Sequence, residues 1–244
     1  MPRGQMETDY QELLRSLYIT LQQQINELEN GQVEQAEYFT MWVHQIKTPI
    51  AALRLLLAEE EDERSQEMWE ELFSIEQYVE MALQFSRLSA KSTDFVIDEV
   101  SLDKVVREAI HKYARLFVRK KIKMELSSID TQVLTDEKWL EFVIEQILSN
   151  AIKYTAGGTI SVYLEEESEQ ETKELVIEDT GIGIAPEDLP RIFEKGYTGY
   201  NGHADKHSTG IGLYLCRKIM RKLSHEITIE SEIGVGTKVH LEIR

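Results

Sequence analysis

The apolar positions along the chain follow two different periods. From residue 10 to 57 they follow a helix. Leu14, Tyr18, Leu21, Ile25 and Leu28 are spaced alternately four and three apart, the seam of a coiled coil. The register runs on through Gln32, Gln35, Phe39, Trp42 and Ile46, with two glutamines weakening it and Gly31 between its halves. Residues 58–65, AEEEDERS, carry no apolar side chain beyond Ala58 and predict a solvated helix–helix connection. A second helix then places Met68, Leu72, Ile75, Val79, Ala82 and Phe85 on one side. Two helices with one apolar face each cannot bury it alone, so the pattern predicts a hairpin that dimerises into a four-helix bundle.

After a polar linker at residues 90–94, AKSTD, strands and helices alternate. Segments 95–100, 121–126, 131–135, 159–166, 174–178, 227–230 and 237–243 read as strands. Segment 102–118 behind a Ser101 cap, 138–153 behind Asp136, and 211–223 read as helices. Gly234 and Gly236 mark the last turn. The pattern predicts a multidomain α and α+β chain: a lead-in over 1–36, a helical-hairpin bundle over 37–90, and over 95–244 an α/β sandwich with helices on one face of a mixed sheet.

Charge narrows the function. The 244 residues carry 27 basic and 44 acidic side chains, a net charge of −17, which argues against a nucleic-acid surface as the main business. The single cysteine, Cys216, excludes a disulfide framework and a cysteine-based zinc site, and fits a reducing cytoplasm. No stretch reaches the roughly 18 apolar residues of a membrane helix. Residues 1–9 lack the apolar core of a signal peptide.

Three elements point to a nucleotide. Asp179-Thr180-Gly181-Ile182-Gly183-Ile184 follows the apolar strand, where paired glycines let a flat ring approach and a carboxylate accepts from an exocyclic amine. Ser208-Thr209-Gly210-Ile211-Gly212-Leu213 opens a helix, whose first N–H groups bind phosphate. Asn150 and Lys153 share a helix face beside Tyr154, offering a hard amide ligand for Mg²⁺ and a charge for phosphate. Between the glycine motifs, residues 191–207 are rich in glycine and predict a lid anchored by Phe193. His203 and His207 stand four apart, a metal-binding spacing only on a helix, and neither a helix signal nor a third ligand accompanies them. Neither a P-loop nor the protein-kinase motif set is present.

His44 lies about 200° around the helix from the seam positions Trp42 and Ile46, which predicts that it faces solvent. Pro49 sits inside the same helical pattern at a cost of about 3 kcal/mol and frees the carbonyl of residue 45. A kink beside an exposed imidazole is expensive for structure alone, and loosens the helix where a catalytic domain would dock.

The segment His44-Gln45-Ile46-Lys47-Thr48-Pro49, Asn150 with Lys153, DTGIG, RIFEKGY and STGIGL fall in the order and spacing of the H, N, G1, F and G2 boxes. From about residue 37 onward the chain therefore resembles the bacterial sensor histidine kinases. The wording WVHQIKTPIAALRLLL resembles their intramembrane-sensing, bacitracin-sensor-like subgroup of low-GC Gram-positive bacteria.

The resemblance implies a dimerisation and phosphotransfer bundle followed by a GHKL-type ATP-binding domain. ATP would phosphorylate His44, and the group would pass to an aspartate of a response-regulator receiver domain. Asn150 would hold Mg²⁺, with Gln146 at the position of the family's first N-box asparagine. Asp179 would bind the adenine amine, and Thr237 would lie near adenine. Lys153, Tyr154, Lys195, Thr209 and Leu213 would contact nucleotide, with Gly181, Gly183, Gly210 and Gly212 shaping the pocket. Thr48 would orient water for dephosphorylating the regulator.

It also implies a homodimer. The longer protein would be anchored by N-terminal membrane helices beside a peptide-exporting ABC transporter and sense envelope or antimicrobial-peptide stress. Gln45 replaces the acid common in the wider family and cannot act as a base. With Gln146 it grounds a second reading: a degenerate kinase used as a dimeric scaffold or regulator phosphatase. A chaperone-type or repair-type ATPase of the same superfamily would have no use for the HQIKTP helix.

Overall fold

The computed structural model describes residues 3–58, 62–89, 95–165, 173–199 and 209–243. The chain divides into two compact units, Met1–Thr93 and Asp94–Arg244.

The first unit is a pair of helices, α1 (Arg3–Ala58) and α2 (Glu63–Ser89). Helix α2 starts inside the stretch expected to be a connection. The Asp62 carboxylate accepts from the Ser65 N–H at 2.7 Å and Glu63 occupies the first turn, so both act as helix-start signals.

The apolar face also differs from the expected seam. Val43 and Ile50, with partly buried Ile46 and Leu57, pack against Leu72, Val79 and Leu83 of α2. Trp42, expected in the seam, lies outside this contact and is exposed. Alongside α2 the helix serves its hairpin partner through one stripe and leaves a second uncovered. Leu53 and Leu56 on α1 and Met68 and Ile75 on α2 are exposed, as are Leu14, Tyr18 and Leu21 of the lead-in. Leu28, Gln32 and Gln35 lie outside the residues whose side chains are described. Lys47–Glu80 at 2.6 Å and Arg54–Glu76 at 3.6 Å join the two helices at their rim.

The second unit contains β1 (Asp98–Ser101), α3 (Leu102–Lys112), α4 (Ala114–Arg119), β2 (Ile122–Leu126), β3 (Gln132–Thr135) and α5 (Glu137–Tyr154). It continues with β4 (Gly158–Glu165), β5 (Lys173–Asp179), α6 (Gly212–Lys222), β6 (Glu226–Glu232) and β7 (Gly236–Ile243). The strand expected from Phe95 is shorter, and the helix expected over 102–118 breaks at Tyr113.

The main sheet has the order β2-β4-β5-β7-β6; β2 and β4 are parallel and the other pairs antiparallel. Strands β1 and β3 form a separate antiparallel pair. Period-two alternation turns Ile160, Val162, Leu175, Ile177, Val239 and Leu241 to one face, beneath the helices, and leaves the opposite face mostly polar. Helix α5 lies between α3 and α6 and is buried nearly all round, through Leu140, Val143, Ile144, Ile147 and Leu148. Ser101 and Asp136 cap α3 and α5, accepting from Lys104 N at 3.4 Å and Trp139 N at 3.1 Å. The position and ending of α5 fix one wall of the site.

Ile144, fully buried on α5, and Ile233, exposed in the last turn, test this core. Ile144→Ala should cost about 2–5 kcal/mol of unfolding free energy, measured by denaturant titration. Ile233→Ala should stay within about 0.5 kcal/mol of the parent.

Candidate functional site

The site is built on the junction between the end of β5 and the end of α5. Asp179 is the last residue of β5 and points to the helix-covered face, where only 8% of it is exposed. Its Oδ1 accepts from the Gly181 N–H at 2.8 Å. Burial raises the Asp179 pKa, opposed by the backbone N–H groups of Gly181 and Thr237. Thr155 follows the last residue of α5 and is also buried; among the described residues its hydroxyl makes no hydrogen bond of standard geometry, yet it faces the Asp179 carboxylate and helps to hold that group's pKa down.

Gly181 joins these two groups. A Cβ there would lie 2.6 Å from the Tyr154 carbonyl oxygen, 2.7 Å from Asp179 Oδ1 and 3.0 Å from Thr155 Oγ1. The next residue, Ile182, donates to the Tyr154 carbonyl at 3.3 Å. The cradle thus offers a buried carboxylate as acceptor and beside it a buried hydroxyl that can donate or accept. That pair suits the amine and ring nitrogen of a purine edge.

The other side of the turn is pressed onto the β6–β7 hairpin. Gly183 has φ 72°, and a Cβ there would meet the Glu232 carbonyl oxygen at 2.1 Å. Ser231 is the hub of this contact. Its hydroxyl accepts from Ile184 N at 2.8 Å, donates to the Gly236 carbonyl at 2.8 Å and lies 2.9 Å from Thr237 Oγ1.

A second knot forms before α6. Gly210 has φ 63° and lies so close to the backbone of Gly196 that a Cβ would come within 2.5 Å of its carbonyl carbon. Gly196 N donates to the Gly210 carbonyl at 2.9 Å. Phe193 is anchored by the Arg217 guanidinium, 5.1 Å from its ring centroid, and Arg191 lies 4.2 Å from the ring of Tyr197. Tyr197 donates in turn to Asp188. The N-cap residue of α6, Ile211, has no side-chain cap to offer its first turn, which begins with Gly212 and Leu213, and N–H groups at such a helix start suit an anion. Thr209 Oγ1 accepts from Ile211 N at 3.3 Å, and Lys195 is exposed.

Along α5, Gln146, Asn150 and Lys153 occupy one side at helical spacing. Gln146 is buried, whereas Asn150 and Lys153 are half-buried. Lys153 Nζ lies 5.2 Å from the Tyr154 ring centroid.

The structure therefore gathers Tyr154, Asp179, Gly181, Gly183 and Thr237 into one knot and Gly196 with Gly210 into another. His203 and His207 lie outside the described residues. The sequence reading missed Thr155 and Ser231. Ser231 had a legible signal: alternation turns it to the same face as Ile227 and Ile229, where a third apolar side chain would be expected.

In the helical unit His44 is exposed, directly after the fully buried Val43. Gln45 and Thr48 are exposed as well. Pro49 lies inside α1, which continues through it, and Thr48 Oγ1 donates to the His44 carbonyl at 3.2 Å. Lys47 reaches Glu80, which also accepts from Gln84 Nε2 at 2.7 Å.

Residues 135–244 match the family model described as "Histidine kinase-, DNA gyrase B-, and HSP90-like ATPase". The chain is 36% identical over 218 residues to the sensor histidine kinase YxdK of Bacillus subtilis, covering 89% of this chain and 67% of that protein. It is 36% identical over 204 residues to the sensor protein kinase GraS of Staphylococcus aureus, covering 83% and 58%. The sensor protein BceS of Bacillus subtilis is 36% identical over 198 residues, with 80% and 58% covered. The chain thus spans roughly three fifths to two thirds of these relatives' lengths.

Among solved structures, full-length ShkA in complex with AMPPNP aligns with a TM-score of 0.61 at 21% identity, over 85% of this chain and 45% of that one. The Acinetobacter baumannii histidine kinase AdeS aligns at 0.57 and 22%, over 82% and 96%. At these identities the two likenesses establish the fold alone, a helical region followed by an α/β sandwich. The relative matched over two thirds of its length goes further, and with it this chain belongs to the sensor histidine kinases.

Proposed function

We propose that the chain binds ATP at the Asp179 cradle, phosphorylates His44 and passes the phosphoryl group to an aspartate of a response regulator. The observation that carries the nucleotide half is the buried Asp179 carboxylate beside the buried Thr155 hydroxyl, with no room for a side chain at Gly181. The adenine amine donates to Asp179, and Gly181 and Gly183 admit the ring. Thr237 stands beside Asp179 across the β5–β7 pair, where it completes the wall. Tyr154 and Leu213 line the pocket, and the phosphates run toward Gly210, Gly212 and Thr209 at the open start of α6. Lys153 and Lys195 supply positive charge in a chain that is otherwise strongly acidic.

Mg²⁺ would be held by the half-buried Asn150 amide, with buried Gln146 one turn before it, and would neutralise phosphate charge. The residues present fit such an ion, since an amide oxygen is a hard neutral donor.

In the helical unit the exposed imidazole of His44 attacks the γ-phosphorus in line with the departing ADP oxygen. The work of the protein is positioning and charge neutralisation. Gln45 offers a hydrogen bond and no base, so a neutral imidazole must supply its own lone pair. Thr48, one turn beyond His44, is placed to orient the water that releases phosphate from the regulator.

The exposed stripe of Leu53, Leu56, Met68 and Ile75 is the face through which two copies form the four-helix bundle. In the longer protein, membrane anchoring and envelope or antimicrobial-peptide sensing fit the relatives named sensor proteins. A neighbouring peptide-exporting ABC transporter belongs to the same reading. Gln45 and Gln146 favour one rival, a degenerate kinase serving as scaffold or regulator phosphatase.

Mixed dimers of His44→Gln and Asn150→Ala test both function and geometry. Each homodimer should incorporate no acid-labile label from γ-labelled ATP. Label in the mixed dimer means transfer between subunits, and no label there means transfer within one. Label in the His44→Gln homodimer contradicts the assignment, whereas an unlabelled parent that still dephosphorylates its regulator supports the rival.

Asp179→Asn should weaken a fluorescent ATP analogue by about 10–100-fold, the worth of a hydrogen bond to a charged acceptor. The same variant should be at least as stable as the parent. Because burial raises the Asp179 pKa, the ionised carboxylate opposes folding; that penalty is full above the folded pKa and vanishes below the unfolded one. Thermal unfolding should show the variant's advantage at pH 7–8 and its decline as the pH falls toward about 4.

A further inference from the structure

We propose a zinc site on the face of the main sheet that points away from the helices, formed by His240, Glu174 and Glu165. His240 lies on β7, Glu174 on β5 and Glu165 at the end of β4. His240 Nδ1 lies 2.8 Å from Glu174 Oε1 and 3.7 Å from Glu165 Oε2. One donor atom from each of the three residues lies within 4.8 Å of the others. Zinc holds nitrogen and oxygen ligands at about 2.0–2.2 Å, so tetrahedral ligands stand roughly 3.4 Å apart. The observed separations straddle that value, and small side-chain rotations bring all three donors to an ion. A mixed imidazole and carboxylate set suits zinc better than magnesium, which favours oxygen donors alone.

Two further observations point the same way. Antiparallel registry places Glu165 directly opposite Glu174, Glu174 opposite Glu242, and Glu242 opposite Glu226. Four glutamates therefore cross four strands in one row, and like charges facing each other across a ladder are unfavourable. A divalent cation at one end of the row offsets that repulsion. The His240 imidazole is also only half committed. Its side chain is 12% exposed, Nδ1 faces the carboxylates and Nε2 is buried without a hydrogen-bond partner among the described residues. A ring held purely for structure ordinarily satisfies both nitrogens. The cross-strand neighbour of His240 on β6 is Thr228, a side chain able to accept from Nε2–H when Nδ1 carries a metal.

The site is separate from the nucleotide cradle. Glu174 lies five residues before Asp179 on β5, about 17 Å along the strand, and points to the opposite face. Three protein ligands leave a fourth position for water. A zinc ion here would join β4, β5 and β7 at the end of the sheet remote from ATP, so its expected role is to stabilise the domain.

The 244-residue chain, stripped with chelator and free of nucleotide, is titrated with Zn²⁺ against a chromophoric competitor, with thermal unfolding in parallel. The parent should bind one tight equivalent and gain a few degrees in midpoint when that site is filled. His240→Ala and Glu174→Gln should each weaken that equivalent beyond the roughly 10–100-fold that loss of an outer-shell partner costs, and abolish the zinc-dependent gain. The double variant His203→Ala with His207→Ala should keep both. Unchanged circular dichroism and ATP-analogue binding show that the variants fold, and Glu174→Gln carries the test if His240→Ala does not. The proposal fails if the parent has no tight equivalent, if that equivalent survives both His240→Ala and Glu174→Gln, or if only the His203 and His207 variant removes it.

Discussion

The close approach of the turn after β5 to the C-terminal end of α5 is the constraint on which the proposed nucleotide site depends. A side chain at Gly181 would collide with the Tyr154 carbonyl, the Asp179 carboxylate and the Thr155 hydroxyl together. The approach closes the cradle around two buried polar groups, a carboxylate and a hydroxyl. Burying a carboxylate and a hydroxyl costs free energy that the Gly181 N–H offsets only in part, and a ligand that hydrogen-bonds to both recovers more of it on binding. Gly183 and Gly236 repeat the device on the other side, where the turn meets Glu232 and the Asp179 carbonyl approaches the β6–β7 hairpin. The proposed specificity for a flat, amine-bearing ring thus rests on backbone packing as much as on any one side chain.

The helical unit meets a different demand. In the proposed reading His44 is the phosphoacceptor, which must be exposed yet ride on an element rigid enough to present it. Helix α1 meets both by burying Val43 and Ile50 against α2 while turning His44 outward between them. Pro49 removes one helical hydrogen bond in this turn, and the Thr48 hydroxyl supplies a local one to the His44 carbonyl. The ion pairs of Lys47 and Arg54 with α2 hold the rim without covering the imidazole.

Much of this was legible in the sequence because it rests on local rules. Ser101 and Asp136 marked helix starts, period-two alternation marked β4, β5 and β7, and the glycine motifs marked the turns that need close approach. The reading failed where partners decide. The seam drawn through Trp42 is correct heptad arithmetic for an isolated helix, but α2 claims the neighbouring stripe through Val43. The break at Tyr113 was hidden because its flanking segments keep one helical period. Thr155 and the row of glutamates were invisible for another reason. Their meaning comes from strand registry and from α5 ending against the turn, and neither is encoded within a short window.

The central claim is that the cradle at Asp179 and the imidazole at His44 are two halves of one phosphotransfer reaction. Mass-spectrometric mapping of phosphate after incubation with Mg-ATP, with digestion kept at neutral pH to preserve phosphoramidate, tests it most directly. The account predicts phosphate on the peptide containing His44 in the parent and none in Asp179→Asn. Phosphate on another residue, or equal occupancy of His44 in Asp179→Asn, would contradict it.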